Sequence, residues 1–476
     1  MNPPPIDMCD STLAVPPESA PKSTLDAALT PMVLGVPDLD ALGAHIGARF
    51  RPRRMARSRV LWLNRRWFFE RGCDLTSPDT RAALEAWLLS NYAAIVQGDW
   101  DPETAYAEGE AELCADRYGA PGGAPNGGSG RCGFAGAFNA KGIGRTPLVS
   151  ADADWYHSHG CLWVEEAMRE AIAAEVADAE LPHGATPVVA ILDPGMRIHG
   201  PPTGIGGVRR AILIRPNFVR LAHFERSIRF GKGGYSRSEQ YLDALRTEEA
   251  VDALRAHLAG ERDLGLPIRS VPEIFARIAE QTGSGWSQRL FHGGLFSSNI
   301  AVDGQLVDFG NFRALPDWRR HVCGGRGAAF GAEIGNFRVV LHSLNFYFRR
   351  YGRSALAFDT NAMCDEMGEV AVRAFVTETL AGLGLLRYAG ASFMEDAERL
   401  LVGAFFAMQS QSVRNLRQAP TLWRSVWSGW DAAASDAAPD RVSSLPGSAQ
   451  IASLGRLLRQ SLPAAEHAHV REQSLP

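Results

Sequence analysis

Apolar side chains recur every three or four positions over several stretches of the chain. Residues 80–98 (DTRAALEAWLLSNYAAIVQ) keep that period, with Ser77 or Asp79 placed to cap the first turn, and so predict a helix. The same period predicts helices over Leu162–Ala179, about 237–259 and about 272–281, the last marked by Ile274 and Ile278. Residues 331–350 and 368–416 also read as helical. Two short runs rich in β-branched residues, PVVAIL (187–192) and RRAILIRP (209–216), read as strands. Residues 290–312 read as loop, hairpin and loop. The glycine-rich and β-rich segments precede most of the helical ones, so the pattern predicts an α+β protein of two lobes with a crevice between them.

Composition narrows this picture. With 46% hydrophobic and 21% charged residues in 476, the chain is not mainly disordered, and its length suits two or more packed units. Residues 1–30 are rich in Pro, Ser and Ala and read as a disordered tail. Residues 435–476 read as a flexible tail with a short amphipathic turn at Ile451–Leu458. Between them fall an N-terminal region at 31–125, an upper lobe at 126–235 and a helical lower lobe at 236–434.

The balance of 49 Lys+Arg against 53 Asp+Glu supplies no strong field for nucleic acid or an anionic membrane. The run Arg49, Arg51, Arg53, Arg54, Arg57 and Arg59 reads first as a solvated surface segment. No apolar run approaches the roughly 20 residues of a membrane helix, and no signal peptide is read at the start. The seven cysteines (9, 73, 114, 132, 161, 323 and 364) include no CxxC pair. That suits a reducing cytoplasm, the expected location, rather than a disulfide framework or a zinc site.

The sharpest chemical signal lies in Asn299-Ile-Ala-Val-Asp303-Gly304-Gln-Leu-Val-Asp308. Asp-Gly between two apolar runs signals a two-residue hairpin turn. With Asp303 and Gly304 at its centre, Asn299 is expected directly opposite Asp308, their Cβ atoms roughly 5 Å apart. An amide oxygen and a carboxylate side by side suit Mg²⁺, which takes hard oxygen ligands and completes its shell with phosphate and water. On the hairpin alone, an Asn–Asp pair finishing a surface turn is the commoner arrangement. The flanks change that balance. Asp308-Phe309-Gly310 is a DFG tripeptide, and His292 to Asn299 repeats the spacing of the kinase catalytic loop. Gly294 stands where that loop carries its catalytic Asp, which argues against a standard kinase.

Upstream, ten of the 48 glycines fall within residues 119–144, a density that suits a backbone approaching a ligand closely. Gly127-Gly128-Ser129-Gly130-Arg131 offers backbone amides and a guanidinium for phosphate, and Lys141 follows. Glu175 shares a helix face with Met168 and Ile172, a face expected to be buried. A buried carboxylate needs a cation, with Lys141 as the natural partner and a rim pairing with Arg169 as the alternative. Arg215 ends a predicted strand and Arg220 follows it; both are phosphate-binding candidates.

These stretches together resemble the selenoprotein O family of protein adenylyltransferases, from about Ser58 to Val340. SRVLWLN (58–64), Gly128-Ser-Gly130-Arg131, Lys141-Gly-Ile-Gly-Arg-Thr-Pro147, Met168-Arg-Glu-Ala-Ile-Ala-Ala-Glu175, ILIRPNFVRLAHFE (212–225), HGGLFSSN (292–299) and DFGN (308–311) follow the family's motifs in order. The resemblance implies a two-lobed protein-kinase-like fold with an N-terminal extension. It also implies transfer of AMP from ATP, bound in an inverted pose, to Ser, Thr or Tyr hydroxyls of acceptor proteins. Gly128, Gly130, Arg131, Lys141, Gly160, Arg215 and Arg220 would contact ATP, and Asn299 and Asp308 would hold Mg²⁺ or Mn²⁺.

Two positions depart from the family. Ser298 replaces the acidic residue thought to act as the base, and His159 replaces the Asp before Gly160, with His157 close by. A histidine there suits a base or a phosphate ligand, or sits unused in a loop, which is the commoner case. The alternatives to an adenylyltransferase are a nucleotide-binding pseudoenzyme that regulates a modification complex, and an atypical phosphotransferase.

Overall fold

The computed structural model describes residues 33, 35–99, 101–119, 126–151, 153–198, 208–227, 237–322, 327–352, 354–386 and 390–413. The two expected tails, the Ile451–Leu458 turn, Cys9 and Cys323 lie outside them.

The chain is α+β. Its larger sheet holds seven strands: β1 (Gly47–Phe50), β2 (Arg59–Leu63), β3 (Leu113–Asp116), β4 (Cys132–Ala135), β5 (Phe138–Lys141), β6 (Ala190–Asp193) and β7 (Ile212–Pro216). They run antiparallel in the order β1-β3-β4-β5-β7-β6-β2. The stretch read as an N-terminal region thus supplies three of the seven strands. It also forms a separate three-stranded sheet from Arg53–Met55, Ala94–Ile95 and Tyr106–Glu110.

The unbroken apolar runs of β6 and β7 follow from burial on both faces. Ile191 and Leu213 point into the main core, whereas Ala190, Leu192, Ile212 and Ile214 point into a second core against Trp67, Leu84 and Leu88. Successive strand residues face opposite sides, so a strand covered on both sides is apolar throughout. The second core is closed by helices α1 (Arg65–Glu70) and α2 (Pro78–Tyr92). Ser77 caps α2, its Oγ accepting from Thr80 N–H at 3.3 Å, as its side-chain chemistry predicts.

Helix α3 (Val164–Glu180) covers part of the other face. The other long helices among the described residues are α4 (Arg237–Leu258), α5 (Val271–Gln288), α6 (Glu333–Tyr347), α7 (Thr360–Gly382) and α8 (Ala391–Gln409). Ile274, Phe275 and Ile278 of α5 share a core with Met367, Ala371 and Phe375 of α7. The single helical stretch read over 368–416 is therefore two helices, α7 and α8.

The arginine run is an ion-paired surface, with Arg49 on Glu112 (3.3 Å), Arg53 on Glu103 (2.6 Å) and Arg59 on Asp193 (3.3 Å). Cys73, Cys114, Cys132, Cys161 and Cys364 carry free thiols. Among the described residues no helix is long and apolar enough to cross a membrane.

Candidate functional site

Strand register places the first side chains. Lys141 and Asn139 of β5 are two apart and share a face; their partners on β7 are Leu213 and Arg215. Ala140 and Ile214 face the opposite way, into the second core. Lys141, Asn139 and Arg215 line one cleft of about 530 Å³.

Helix α3 supplies the counter-charge. Its buried stripe is Ala167, Glu170, Ala171, Ala174 and Ala177, at helical spacing. Glu170 Oε2 accepts from Lys141 Nζ at 2.7 Å, and Oε1 accepts from Arg215. Burial would raise this carboxyl, but the charges of Lys141 and Arg215 outweigh it and hold it below the usual range.

This corrects the assignment of Glu175. Glu175 lies outside the cleft and accepts from Asn64 Nδ2 at 2.6 Å and from Arg66 at 3.1 Å. The face that carries it is outward, with Ile172 65% and Met168 39% exposed. Small alanines let the helix approach the sheet closely, so the larger apolar residues mark the wrong side. The alanine stripe was the signal that pointed to Glu170.

The hairpin register also differs by one. Ile300 bridges Leu306, and Val307 N–H donates to Asn299 O at 3.1 Å, so Asn299 faces Val307 rather than Asp308. Gly304 N–H donates to Ala301 O at 3.0 Å and Gly304 has φ +90°, a three-residue loop whose last position favours glycine. The extra loop residue moves Asp308 off the ladder, where its backbone turns left-handed at φ 63°. Its carboxylate reaches Lys141 Nζ at 3.2 Å. The Lys141 charge is the main cause holding the Asp308 carboxyl far below its ordinary range; Arg131 adds to it. Asn299 and Asp308 still line the same cleft, by a different route.

Every other expected site residue lines this cleft: Gly128, Gly130, Arg131, His159, Gly160, Arg215, Arg220 and Ser298. The glycine loop is only partly free for a ligand. Gly127 and Ser129 amides donate to Leu148 O and Asp116 O, both at 2.9 Å. A Cβ on Gly128 would meet Asp116 O at 2.2 Å, so glycine is needed there for close packing within the protein. Arg131 pairs with Glu166 at 3.0 Å, a carboxylate the sequence reading missed.

Arg220 is buried over the rings of Phe218 and Tyr118 (4.4 and 4.7 Å) and donates to Ser298 O. Ser298 Oγ lies 3.3 Å from Asn299 Oδ1, and Asn299 Nδ2 donates to Gly294 O at 2.8 Å. Ser298 thus steadies Asn299. His292 bonds to Val307 O at 2.9 Å and so ties the 292–299 loop to the hairpin.

His159 is not a base. Its Nδ1 accepts from Cys161 N–H at 2.8 Å, and burial, with the Arg131 charge, pushes the imidazole down to about 4. The neutral ring then carries its hydrogen on Nε2, as a donor. His157 sits at the mouth of the cleft with Nδ1 2.7 Å from Asp154.

Beneath the loop, Ser297 Oγ donates to Glu225, which burial pushes up to about 7 from 4.5. A raised carboxyl keeps its proton longer in the folded state. Its contribution to stability is full below about pH 4.5 and is lost as pH rises to about 7. Glu225→Gln is expected to gain on the wild type over that interval by on the order of 3 kcal/mol. Urea unfolding at pH 4.5 and 7.5 measures it, and an unchanged difference between the two proteins would refute it.

Among the described residues no group of three His, Cys, Asp or Glu side chains is placed to hold a metal. Asn299 Oδ1 and the ionised Asp308 offer two hard oxygens, which fits a Mg²⁺ or Mn²⁺ ion that takes its other ligands from phosphate and water. Comparison with known protein families and with curated proteins finds no match to this chain.

Proposed function

We propose that the chain is a Mg²⁺-dependent protein adenylyltransferase, a divergent relative of the selenoprotein O family with a protein-kinase-like pair of lobes. In this reading it transfers AMP from ATP to Ser, Thr or Tyr hydroxyls of a protein acceptor. One observation carries the reading: Lys141 Nζ is held between Glu170 of α3 and Asp308 of the DFG tripeptide, at 2.7 and 3.2 Å. A strand lysine, a helix glutamate and a DFG aspartate meeting at one point are the elements by which a kinase-like site holds a triphosphate.

Arg131, Lys141, Arg215 and Arg220 line the same cleft and would bind the phosphates. Asn299 and Asp308 would hold the metal ion, which when bound offsets charge on the phosphates. The acceptor oxygen forms a bond to the α-phosphorus as the bond to the bridging oxygen breaks. Diphosphate departs, and the acceptor proton passes to solvent. Phosphorus chemistry of this kind rests mainly on positioning and charge, so a weakly basic Ser298 is compatible with turnover. Its role is to orient Asn299.

Incubation with α-labelled and γ-labelled ATP tests the reading. Label in protein from the α position alone is the expected result. Label from the γ position alone would establish a phosphotransferase instead. Ser298 favours a second reading, a nucleotide-binding regulator without turnover, because no carboxylate stands at that position. Nucleotide-dependent thermal stabilisation with no labelled product would establish it.

A further inference from the structure

Behind the His159–Gly160 segment lies a second cavity of about 300 Å³, with Asp99, Asp101, Arg145, Trp155 and Arg210 in its wall. His159 belongs to both this cavity and the main cleft. Arg210 is almost fully buried, with a side-chain exposure of 2%. Its ion pair with Asp101 is long, at 3.3 Å, and its Nε and second terminal nitrogen have no acceptor among the described residues. Asp101 is shared, since it also accepts from Gly98 N–H at 2.9 Å and Tyr106 OH at 2.8 Å. His159 Nε2, the nitrogen that carries the hydrogen, is likewise buried without a partner among the described residues. Arg145 stands exposed in the same wall.

A buried guanidinium with open donors is costly unless an acceptor reaches it. Two guanidiniums and an N–H donor around one small cavity suit an oxyanion.

We infer that this cavity binds a phosphate group, and that its ligand is the diphosphate released in the adjoining cleft. Naming diphosphate rests on the proposed adenylyl transfer; the anion site does not. Asp99, which makes no pair with Arg210, opposes the anion from the exposed edge. Arg145 and Asp99 therefore act with opposite signs, and neither is a core residue whose replacement would unfold the chain.

Calorimetric titration of the full chain with sodium diphosphate, and separately with inorganic phosphate, tests the site. Diphosphate is expected to bind more tightly than phosphate. Arg145→Ala should weaken it by about 10-fold or more, the worth of one charge-assisted hydrogen bond. Asp99→Asn should tighten binding, and the Arg145-dependent binding should change by less than about 3-fold in Arg131→Ala, which removes a phosphate contact of the main cleft only.

Absence of binding by either anion overturns the inference. So does binding that falls with Arg131→Ala and ignores Arg145→Ala, which would place the anion in the main cleft. Phosphate binding as tightly as diphosphate, with the Arg145 dependence kept, removes the link to the leaving group. Arg145-dependent binding in a chain that transfers no AMP would sink the adenylyltransferase reading and leave the anion site standing.

Discussion

Asp308→Asn is expected to reduce AMP transfer by at least about 10³-fold while leaving the fold intact, the size of effect seen when a group that stabilises transition-state charge is lost. The carboxylate does two things at once. It lies 3.2 Å from Lys141 Nζ, and it is the only ionised oxygen ligand beside Asn299 that the proposed metal site has among the described residues. The Lys141 charge holds this carboxyl below the ordinary carboxylate range, so it is ionised near neutral pH. Asparagine keeps the size and tolerates the left-handed backbone at φ 63°, so the substitution removes charge with little strain. Transfer of α-label, measured against Mg²⁺ concentration, reads the loss directly, and thermal unfolding checks the fold. Wild-type transfer by a folded Asp308→Asn protein would overturn the metal assignment.

The second large effect separates two glutamates five residues apart on α3. Glu170→Ala would leave Lys141 and Arg215 facing each other in a buried site without their carboxylate. Removing one partner of a buried ion pair costs about 3–5 kcal/mol. Lys141 has Asp308 as a second neighbour, yet among the described residues Arg215 has no ion-pair partner other than Glu170. Glu175→Ala removes a pair with Arg66 in which both side chains are partly exposed, 33% and 49%, and one of the two acceptors of Asn64 Nδ2, which keeps Val188 O at 3.1 Å; it should cost about 1–2 kcal/mol. Denaturant unfolding of both variants decides the matter. A larger loss at Glu175 would return the helix glutamate to the outward face. In the proposed function, Glu170→Ala also releases Lys141 from its position, so α-label transfer should fall with stability, whereas Glu175→Ala should keep it.

Much of the site was legible because its parts are short and local. Helix periods located α3 and α4 within about two residues at each end and found α2 and α5, but the reading overran the end of α2 by six residues and stopped seven short in α5. The DFG tripeptide, the His292-to-Asn299 spacing, Lys141 and the four-residue loop at Gly128 are runs of neighbours, and their order along the chain survives folding. The errors share a cause. Glu175 was chosen on apolar size, but α3 buries its smallest residues. Asn299 was set opposite Asp308 by assuming a two-residue turn, and one more loop residue shifts every pairing across the hairpin. His159 stood open as a base, a phosphate ligand or an unused loop residue, and the Cys161 N–H on its Nδ1 removes the first of these.

The sequence by itself determined the α+β content, most of the helices, and most of the residues that gather around one cleft, because those depend on periodicity and near-neighbour chemistry. Only the tertiary structure decided which glutamate meets Lys141, which way Asp308 points, and that the first strands of the chain complete the sheet that carries the site. Each of these turns on contacts between residues far apart in sequence, such as Lys141 and Asp308. Burial and approach distance select such partners, and no local pattern records them.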